Sequence, residues 1–287
     1  MTTANFLALV LDSTSFFLVL LLVALGLVII FGLMNVINMA HGEFFLLGAY
    51  TAVAATRAGW PFWWSLLLAP LVLAAVGWIV EQTVVRFVYH RFIDSILATW
   101  GLSLMLKQLI VVIFGPTSQS VPDPLGVTVS VLGMAYPGYR LFVMGASVVL
   151  TALTFVLLYR THVGLTIRGV IANRAMAASL GVNTRRLDVG TFMAGAALAG
   201  FAGAAMAPLM SVDPQMGAGF LIPSFLSILV GGASSFIGVV VGAALISGGS
   251  TGLAALRDPV FAQIVVFSLA IVIIRLFPSG LFGRRRP

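Results

Sequence analysis

Nine apolar runs follow one another along this chain of 287 residues, and most are close to the length that crosses a lipid bilayer. They cover roughly 6–34, 36–56, 62–80, 94–114, 139–159, 189–210, 219–232, 235–256 and 259–277. A helix needs about 20 residues to pass about 30 Å of hydrocarbon, and only 219–232 is clearly short. Glycine and alanine run throughout, without the ten-residue alternating segments of a barrel. Hydrophobic residues make up 61% of the chain and charged residues 8%. Soluble domains carry about a quarter charged residues, so no soluble core explains that balance. The expected fold is an all-α polytopic membrane protein of about eight or nine transmembrane helices, a single domain over 1–287.

Arginine placement gives an orientation. Arg86 and Arg91 lie in the gap 81–93, five arginines (Arg160, Arg168, Arg174, Arg185, Arg186) lie in 160–188, and Arg284–Arg286 end the chain. These ten of fourteen arginines all fall inside if the N-terminus is periplasmic and the C-terminus cytoplasmic, with an odd number of crossings. Asp12, Asp123, Asp213 and Asp258 then fall outside. The same count makes 219–232 a short or broken crossing, since a re-entrant hairpin there would put the arginine tail on the wrong side. Met1-Thr2-Thr3 lacks a basic leader, so the first run is read as a retained membrane helix. The net charge of +7 does not point to nucleic acid, because the arginines sit in short gaps between apolar runs. Trp60, Trp63 and Trp64, beside Pro61, read as an outer interfacial belt. The stretch 115–138, rich in turn residues, reads as an external loop.

Gly195, Ala199, Gly203 and Ala207 recur at four-residue spacing, with Gly200 and Ala204 on a second face and Gly238 and Gly242 later. Such spacing lets helix backbones approach in lipid, and internal bundle packing is the favoured reading over a homodimer face.

Few polar groups lie inside the apolar runs. The segment Asn35-Val36-Ile37-Asn38-Met39-Ala40-His41-Gly42-Glu43 joins the first two, and Asn38 and Gly42 are expected to break the helix there. Glu43 opens an apolar run, and a carboxylate at bilayer depth costs about 2.5–3.5 kcal/mol on insertion scales. Two compatible readings follow. His41 and Glu43 cap a helix end, or they stand on a translocation path or its gate. In the fourth run Trp100, Ser103 and Lys107 share a helical face; it either lines a polar passage or leaves Lys107 snorkelling as a packing residue. Asp94 is read as capping that run, and Thr184 as the N-cap of the sixth.

From Leu165 to Leu180 the basic loop has good helical content, with Gly181 where a C-cap glycine belongs. Ala172, Ala175, Met176 and Ser179 share one face of small side chains that a partner groove would grip. The competing reading is an interfacial helix held to anionic lipid headgroups by its arginines.

Catalytic chemistry is missing. Lys107 is the single lysine and its neighbours, Leu106 and Gln108, exclude a G-x-x-x-x-G-K-[ST] phosphate loop. His41, His90 and His162 are scattered, there is no cysteine, and no metal or nucleophile–base constellation emerges. Two classes remain: the membrane subunit of a pump driven by a separate ATPase, or an ATP-independent carrier or channel. The near isolation of Glu43 and Lys107 disfavours ion coupling.

Three separated motifs carry a family resemblance: G-L-M-N-V-I-N-M-A-H-G-E-F (Gly32–Phe44), N-R-A-M-A-A-S-L-G-V-N-T-R-R-L-D (Asn173–Asp188) and F-P-S-G-L-F-G (Phe277–Gly283). The chain resembles the permease subunits of ATP-driven ABC importers for branched-chain amino acids and for urea or short amides. Their coupling-loop motif, E-A-A followed three residues later by Gly, is met by Ala177 and Gly181, while Ala175 stands for the Glu and Met176 for the first Ala. Ile96–Leu104 and Asn173–Ala178 look more like the urea-type permease than the branched-chain type. Taken over from the resemblance, the path or gate would include Asn35, Asn38, His41, Gly42, Glu43, Trp100 and Ser103. The ATPase-coupling element would include Arg168, Ala172, Asn173, Arg174, Ala175, Met176, Ala177, Ala178, Ser179 and Gly181. The resemblance also implies a bacterial inner-membrane location, a second homologous permease, two cytoplasmic ATPases and a periplasmic binding protein docking near 115–138 and 211–218. ATP and Mg would be bound by the ATPases, with no cofactor in this chain. The main expectation is thus a permease for urea or a short amide, with a branched-chain amino acid permease as the alternative.

Overall fold

A computed structural model describes residues 3–89, 91–233 and 235–282. In chain order the helices are α1 (Thr3–Met34), α2 (His41–Arg57), α3 (Phe62–Thr83), α4 (Phe92–Phe114), α5 (Gly138–Arg160), α6 (His162–Ala172), α7 (Arg174–Ser179), α8 (Thr184–Met206), α9 (Met216–Gly231), α10 (Phe236–Leu256) and α11 (Pro259–Leu276). Among the described residues seven helices are long and apolar enough to cross a membrane: α1, α3, α4, α5, α8, α10 and α11. The all-α, multi-pass reading of the sequence is borne out. The nine apolar runs resolve into those seven spans and two shorter helices, α2 and α9, of 17 and 16 residues.

Both short helices begin inside the bundle. The His41 imidazole lies 3.1 Å from the Val23 carbonyl. Val23 is 11 residues before the end of α1, about 16 Å by helical rise, so α2 starts near mid-depth. The chain reaches that depth as a non-helical segment over 35–40 that ends in a turn. Asn35, at φ 53, turns the backbone out of α1, its own N–H still bonded to Phe31 O at 2.8 Å. Asparagine tolerates this left-handed conformation better than other side-chain-bearing residues. On the other side of the bundle, 207–215 descends in the same manner before α9 begins.

The arrangement is an inverted repeat. α2 and α3 pack on α8 as α9 and α10 pack on α1, with α1 meeting α8 and α2 meeting α9 in between. Small residues set these approaches. A Cβ on Gly26 would stand 2.6 Å from Gly195 O, and one on Gly195 would stand 2.7 Å from Gly26 O. Gly48 lies against the Gly200 carbonyl and Gly203 against the Phe45 carbonyl, closer than any side chain would allow. Gly238 abuts Gly231 in the α9–α10 hairpin, where Gly242 abuts Ser227. Internal packing is therefore what the small-residue spacing encodes, since in lipid close contact stabilises helix pairs that area burial does not.

One face of the molecule carries α6, α7 and the turn 84–89; the opposite face carries the loop 115–137. In that loop β1 (Thr128–Val131) pairs antiparallel with β2 (Met134–Pro137) around Leu132-Gly133, both at positive φ as a two-residue hairpin turn requires. Turn chemistry was legible there; the hairpin was not. Gln119 pairs with Val212, and Arg57 donates to Gln119 Oε1 at 2.5 Å, so the two loops of this face are stitched together. Asp12 near the start of α1 pairs with Arg140 and accepts from Tyr136 on this face. After α11 the chain returns to the α7 face, where Leu281 and Phe282 N–H groups bond Val230 and Gly231 carbonyls at 2.8 and 3.0 Å. Arg284–Arg286 and His90 lie outside the described residues.

Four local expectations are corrected. Gly42 does not break a helix but is the second residue of α2. The loop helix expected over 165–180 is two helices, because Asn173 turns to φ −155 between them and caps α7 by accepting from Met176 N. α8 is capped by Asn183, which accepts from Arg186 N at 3.0 Å, with Thr184 as its first residue. Asp94 makes no cap bond; it faces Arg91 at 3.4 Å on the surface.

Candidate functional site

Two places gather the polar groups singled out in the sequence. The first is where α2 and α9 meet, N-terminus to N-terminus, at mid-depth. Gly42 and Gly217, each the second residue of its helix, touch through their backbones: a Cβ on either would lie 2.6 Å from the other's carbonyl oxygen. The two helix starts thus bring their positive dipole ends together. One turn further on, Phe45 and Phe220 stack at 4.0 Å between centroids. The repeat shows here even in sequence, as Gly42-x-x-Phe45-Leu46 and Gly217-x-x-Phe220-Leu221.

Glu43 stands at this junction with its side chain 3% exposed. Its Oε1 accepts from Ser103 Oγ at 2.9 Å and lies 4.0 Å from Lys107 Nζ. Its Oε2 has no hydrogen-bond partner and points toward Gly217, 3.1 Å from where a Cβ would be. Lys107 Nζ donates to Gln215 Oε1 at 3.1 Å. α4 therefore brings a hydroxyl and an ammonium to a carboxylate that α2 carries into the bilayer.

The non-helical segment beneath Glu43 is held by side chains, as irregular backbone at this depth must be. Thr99 Oγ1 accepts from Met39 N at 3.0 Å, and its single proton has Ser95 O at 2.7 Å and Ile37 O at 3.1 Å within reach. Asn38 Oδ1 accepts from Ala40 N at 3.1 Å, while its Nδ2 is buried and unpartnered. His41 is fully buried, with Nε2 on Val23 O and an edge contact to Phe44. The structure thus brings Asn38, His41, Gly42, Glu43 and Ser103 together. It leaves out Asn35, exposed at the mouth of the break, and Trp100, which is 55% exposed on the outer side of α4. The buried stripe of α4 runs through Ser95, Thr99, Leu102, Ser103 and Leu106, so the expected Trp100–Ser103–Lys107 face is rotated. Thr99, Gln215 and Gly217 were not singled out as site residues. A break flanked by an unpaired Asn and an acidic residue demands such anchors, but only their depth reveals which residues supply them.

The second place is the α6–α7 loop. Ala172, Asn173, Ala175, Met176, Ala178, Ser179 and Gly181 are exposed, whereas Ala177 is buried, only 8% exposed, and holds α7 down. Gly181 at φ 87 closes α7, with Val182 N bonded back to Ala177 O. Arg168 stacks over Tyr159 at 4.9 Å. Arg174 turns inward, pairs both guanidinium nitrogens with the buried Asp188 of α8, and donates to Leu33 O at the end of α1. The hydrogen bonds to Asp188 hold its guanidinium charge above the usual arginine range. Beside this pair, Tyr89 donates to Glu81 at 2.5 Å, and burial with that carboxylate pushes its phenol up.

Residues 9–274 match the family model for the branched-chain amino acid transport system permease component. The chain belongs to that family. Among the permease's relatives, the high-affinity branched-chain amino acid transport system permease protein LivH of Salmonella typhimurium is 25% identical over 92% of this chain and 91% of its own. The protein BraD of Pseudomonas aeruginosa, bearing the same description, is 26% identical over the same shares. LivM of Escherichia coli, also a high-affinity branched-chain amino acid permease protein, is 26% identical over 96% of this chain and 70% of its own. No solved structure matches the permease. These names speak of branched-chain amino acids, so the urea or amide expectation gains no support and the alternative replaces it. Within Ile96–Leu104, Thr99 braces the break and Trp100 lies on the outer surface of α4.

Proposed function

We propose that this permease is the membrane-spanning subunit of an ATP-driven importer of branched-chain amino acids in the bacterial inner membrane. It pairs with a second homologous permease, two cytoplasmic ATPases and a periplasmic binding protein. The α6–α7 face is cytoplasmic and the hairpin face periplasmic, in keeping with the arginines of 84–91 and 160–188 gathering on the former. Exposed small side chains at Ala175, Ala178 and Ser179 offer the ATPase a surface that a cleft would close upon. ATP and Mg are bound by that partner.

The observation that carries this reading is the Arg174 linkage. Motion imposed on α7 reaches the end of α1 through Leu33, two residues before the non-helical segment that leads to Glu43. The solute path runs past that segment, and the loaded binding protein docks on the loops joined by Gln119 and Val212.

The test is Ser179→Arg in the complete transporter, reconstituted with its ATPases, second permease and binding protein. Leucine uptake should fall at least tenfold and ATPase co-purification should be lost, with thermal stability unchanged because Ser179 is exposed. Normal uptake by the variant, or leucine uptake by the permease alone without ATP, would overturn the proposal.

A further inference from the structure

α5 packs on α1 and α6 but barely touches α8, so the two helices diverge and leave a groove of about 560 Å³ between them. Its wall is Leu150, Leu153 and Leu157 of α5, and its floor is Gly190, Ala194 and Ala197 of α8, one helical face in each case. This floor differs from the face of Gly195, Gly200 and Gly203, which neighbouring helices fill. Nothing comes within 4 Å of the Gly190 Cβ position. The two hydroxyls in the lining, Thr154 and Thr191, donate to Leu150 O and Leu187 O of their own helices at 2.8 and 2.6 Å, so neither is left for a polar solute. Leu153, Leu157, Gly190 and Ala194 are exposed, and the groove is therefore open sideways to the lipid.

Its end nearest α6 has another character. Arg186 lines that end and also lines an adjoining recess, together with Arg185, Gln82 and Asn183. The two arginines stand in the first turn of α8, where the helix dipole disfavours cations. Their guanidinium groups make no hydrogen bond or ion pair with any described residue. From Arg186 to Phe201, which also lines the groove, α8 advances 15 residues, about 22 Å by helical rise. One leaflet measures about 20–22 Å from headgroup to midplane.

We propose that this groove binds one anionic phospholipid of the leaflet on the α6–α7 side, an acyl chain lying along α8 and the phosphate held between Arg185 and Arg186. Length and charge select this occupant. A phospholipid brings an apolar chain and a phosphate in one molecule, and guanidinium groups suit phosphate oxygens. A helix of another chain would supply the apolar contact but would need an acidic residue at one particular depth to meet the arginines. Two unpaired cations also favour a headgroup of net negative charge over a zwitterionic one. Val163 and Ile167 of α6 close the head end of the groove, so the bound lipid touches α5, α6 and α8 at once.

The experiment uses the complete transporter, delipidated in detergent and titrated with phosphatidylglycerol or phosphatidylcholine of the same chains, with bound lipid counted by native mass spectrometry. The parent should bind phosphatidylglycerol at least fivefold more tightly. The double variant R185Q/R186Q should hold one tightly bound phosphatidylglycerol fewer per copy of this chain. Ala194→Phe, which fills the floor, should lose that lipid whatever its headgroup. All three side chains are exposed, so the melting temperature of the delipidated protein should hold. This chain has no cysteine, and Leu153→Cys on the rim gives it a single position for a photoreactive label, whose principal adduct should be phospholipid. An unchanged phosphatidylglycerol count in either variant, or a principal adduct with the second permease, overturns the inference.

Discussion

The guanidinium of Arg174 donates to the backbone carbonyl of Leu33, 3.3 Å away across 141 positions of sequence. The carbonyls of a helix's last turn lack intrahelical donors, and this one is met by a side chain whose other bonds go to Asp188. A single planar cation therefore joins the end of α1, the start of α8 and the loop helix α7. Its fork geometry suits the task in a way an ammonium does not.

Replacing Arg174 by Ala leaves Asp188, 1% exposed, without its bidentate partner. Loss of one member of a buried pair costs about 3 kcal/mol or more. Arg174→Lys should recover part of that stability, since the charge stays, but not transport, since one ammonium does not span Asp188 and Leu33 together. Thermal unfolding and uptake measured on the same preparations separate the two effects. Equal recovery of both would show the Leu33 bond to be idle.

Gly217→Ala forces a methyl into the Gly42 carbonyl, whereas Gly219→Ala meets open space. Overpacking of a close contact costs about 1–3 kcal/mol, and exposed substitutions about 0.5 kcal/mol or less. The melting temperature should drop for the first variant and hold for the second. A reversed order would refute the helix-to-helix contact.

Thr99→Val keeps shape and removes the hydroxyl that serves Met39 N and Ile37 O. An unpaired buried backbone group costs about 1–3 kcal/mol. Amide exchange at Met39 should accelerate while that of α4 beyond Leu102 stays unchanged. Unchanged exchange at Met39 would mean the break is held by other groups.

Tyr89 titrates above its usual range, held neutral by burial and by Glu81. A phenol whose folded pKa exceeds its unfolded value of about 10 contributes stability that is complete below pH 10 and fades as pH rises past it. Melting temperature should therefore decline between about pH 10 and 11, and Tyr89→Phe, which has no phenol to ionise, should lose that component of the decline. Parallel pH curves for parent and variant would exclude Tyr89 as the source.

Much of this was legible in the sequence because the bilayer imposes length and polarity rules on every span. The all-α multi-pass architecture, an interruption between the first two apolar runs, and the exposed loop face at Ala175 and Ser179 follow from those rules, whereas the division of nine runs into seven spans and two short helices does not. The direction of Lys107 does not, since a lysine on a helix reads alike whether it reaches a carboxylate or a headgroup. The inverted repeat was also hidden. Its sequence trace is the short Gly-x-x-Phe-Leu pair, and the surrounding residues differ. Ala177 shows the limit of spacing arguments. It belongs to the loop motif, yet a kink at Asn173 rotates it under α7, so charge placed there would damage packing before it touched a partner.

Because α2 and α9 abut end to end, neither contributes a backbone ladder that continues through the middle of the bilayer. Separating them would break no i to i−4 bond and unwind no turn. What must give is the Gly42–Gly217 contact and the Phe45–Phe220 stack. A helix running unbroken from face to face would resist such parting with every peptide along it. Here the seam is already cut, and the bundle around it is stitched by glycines that lie elsewhere.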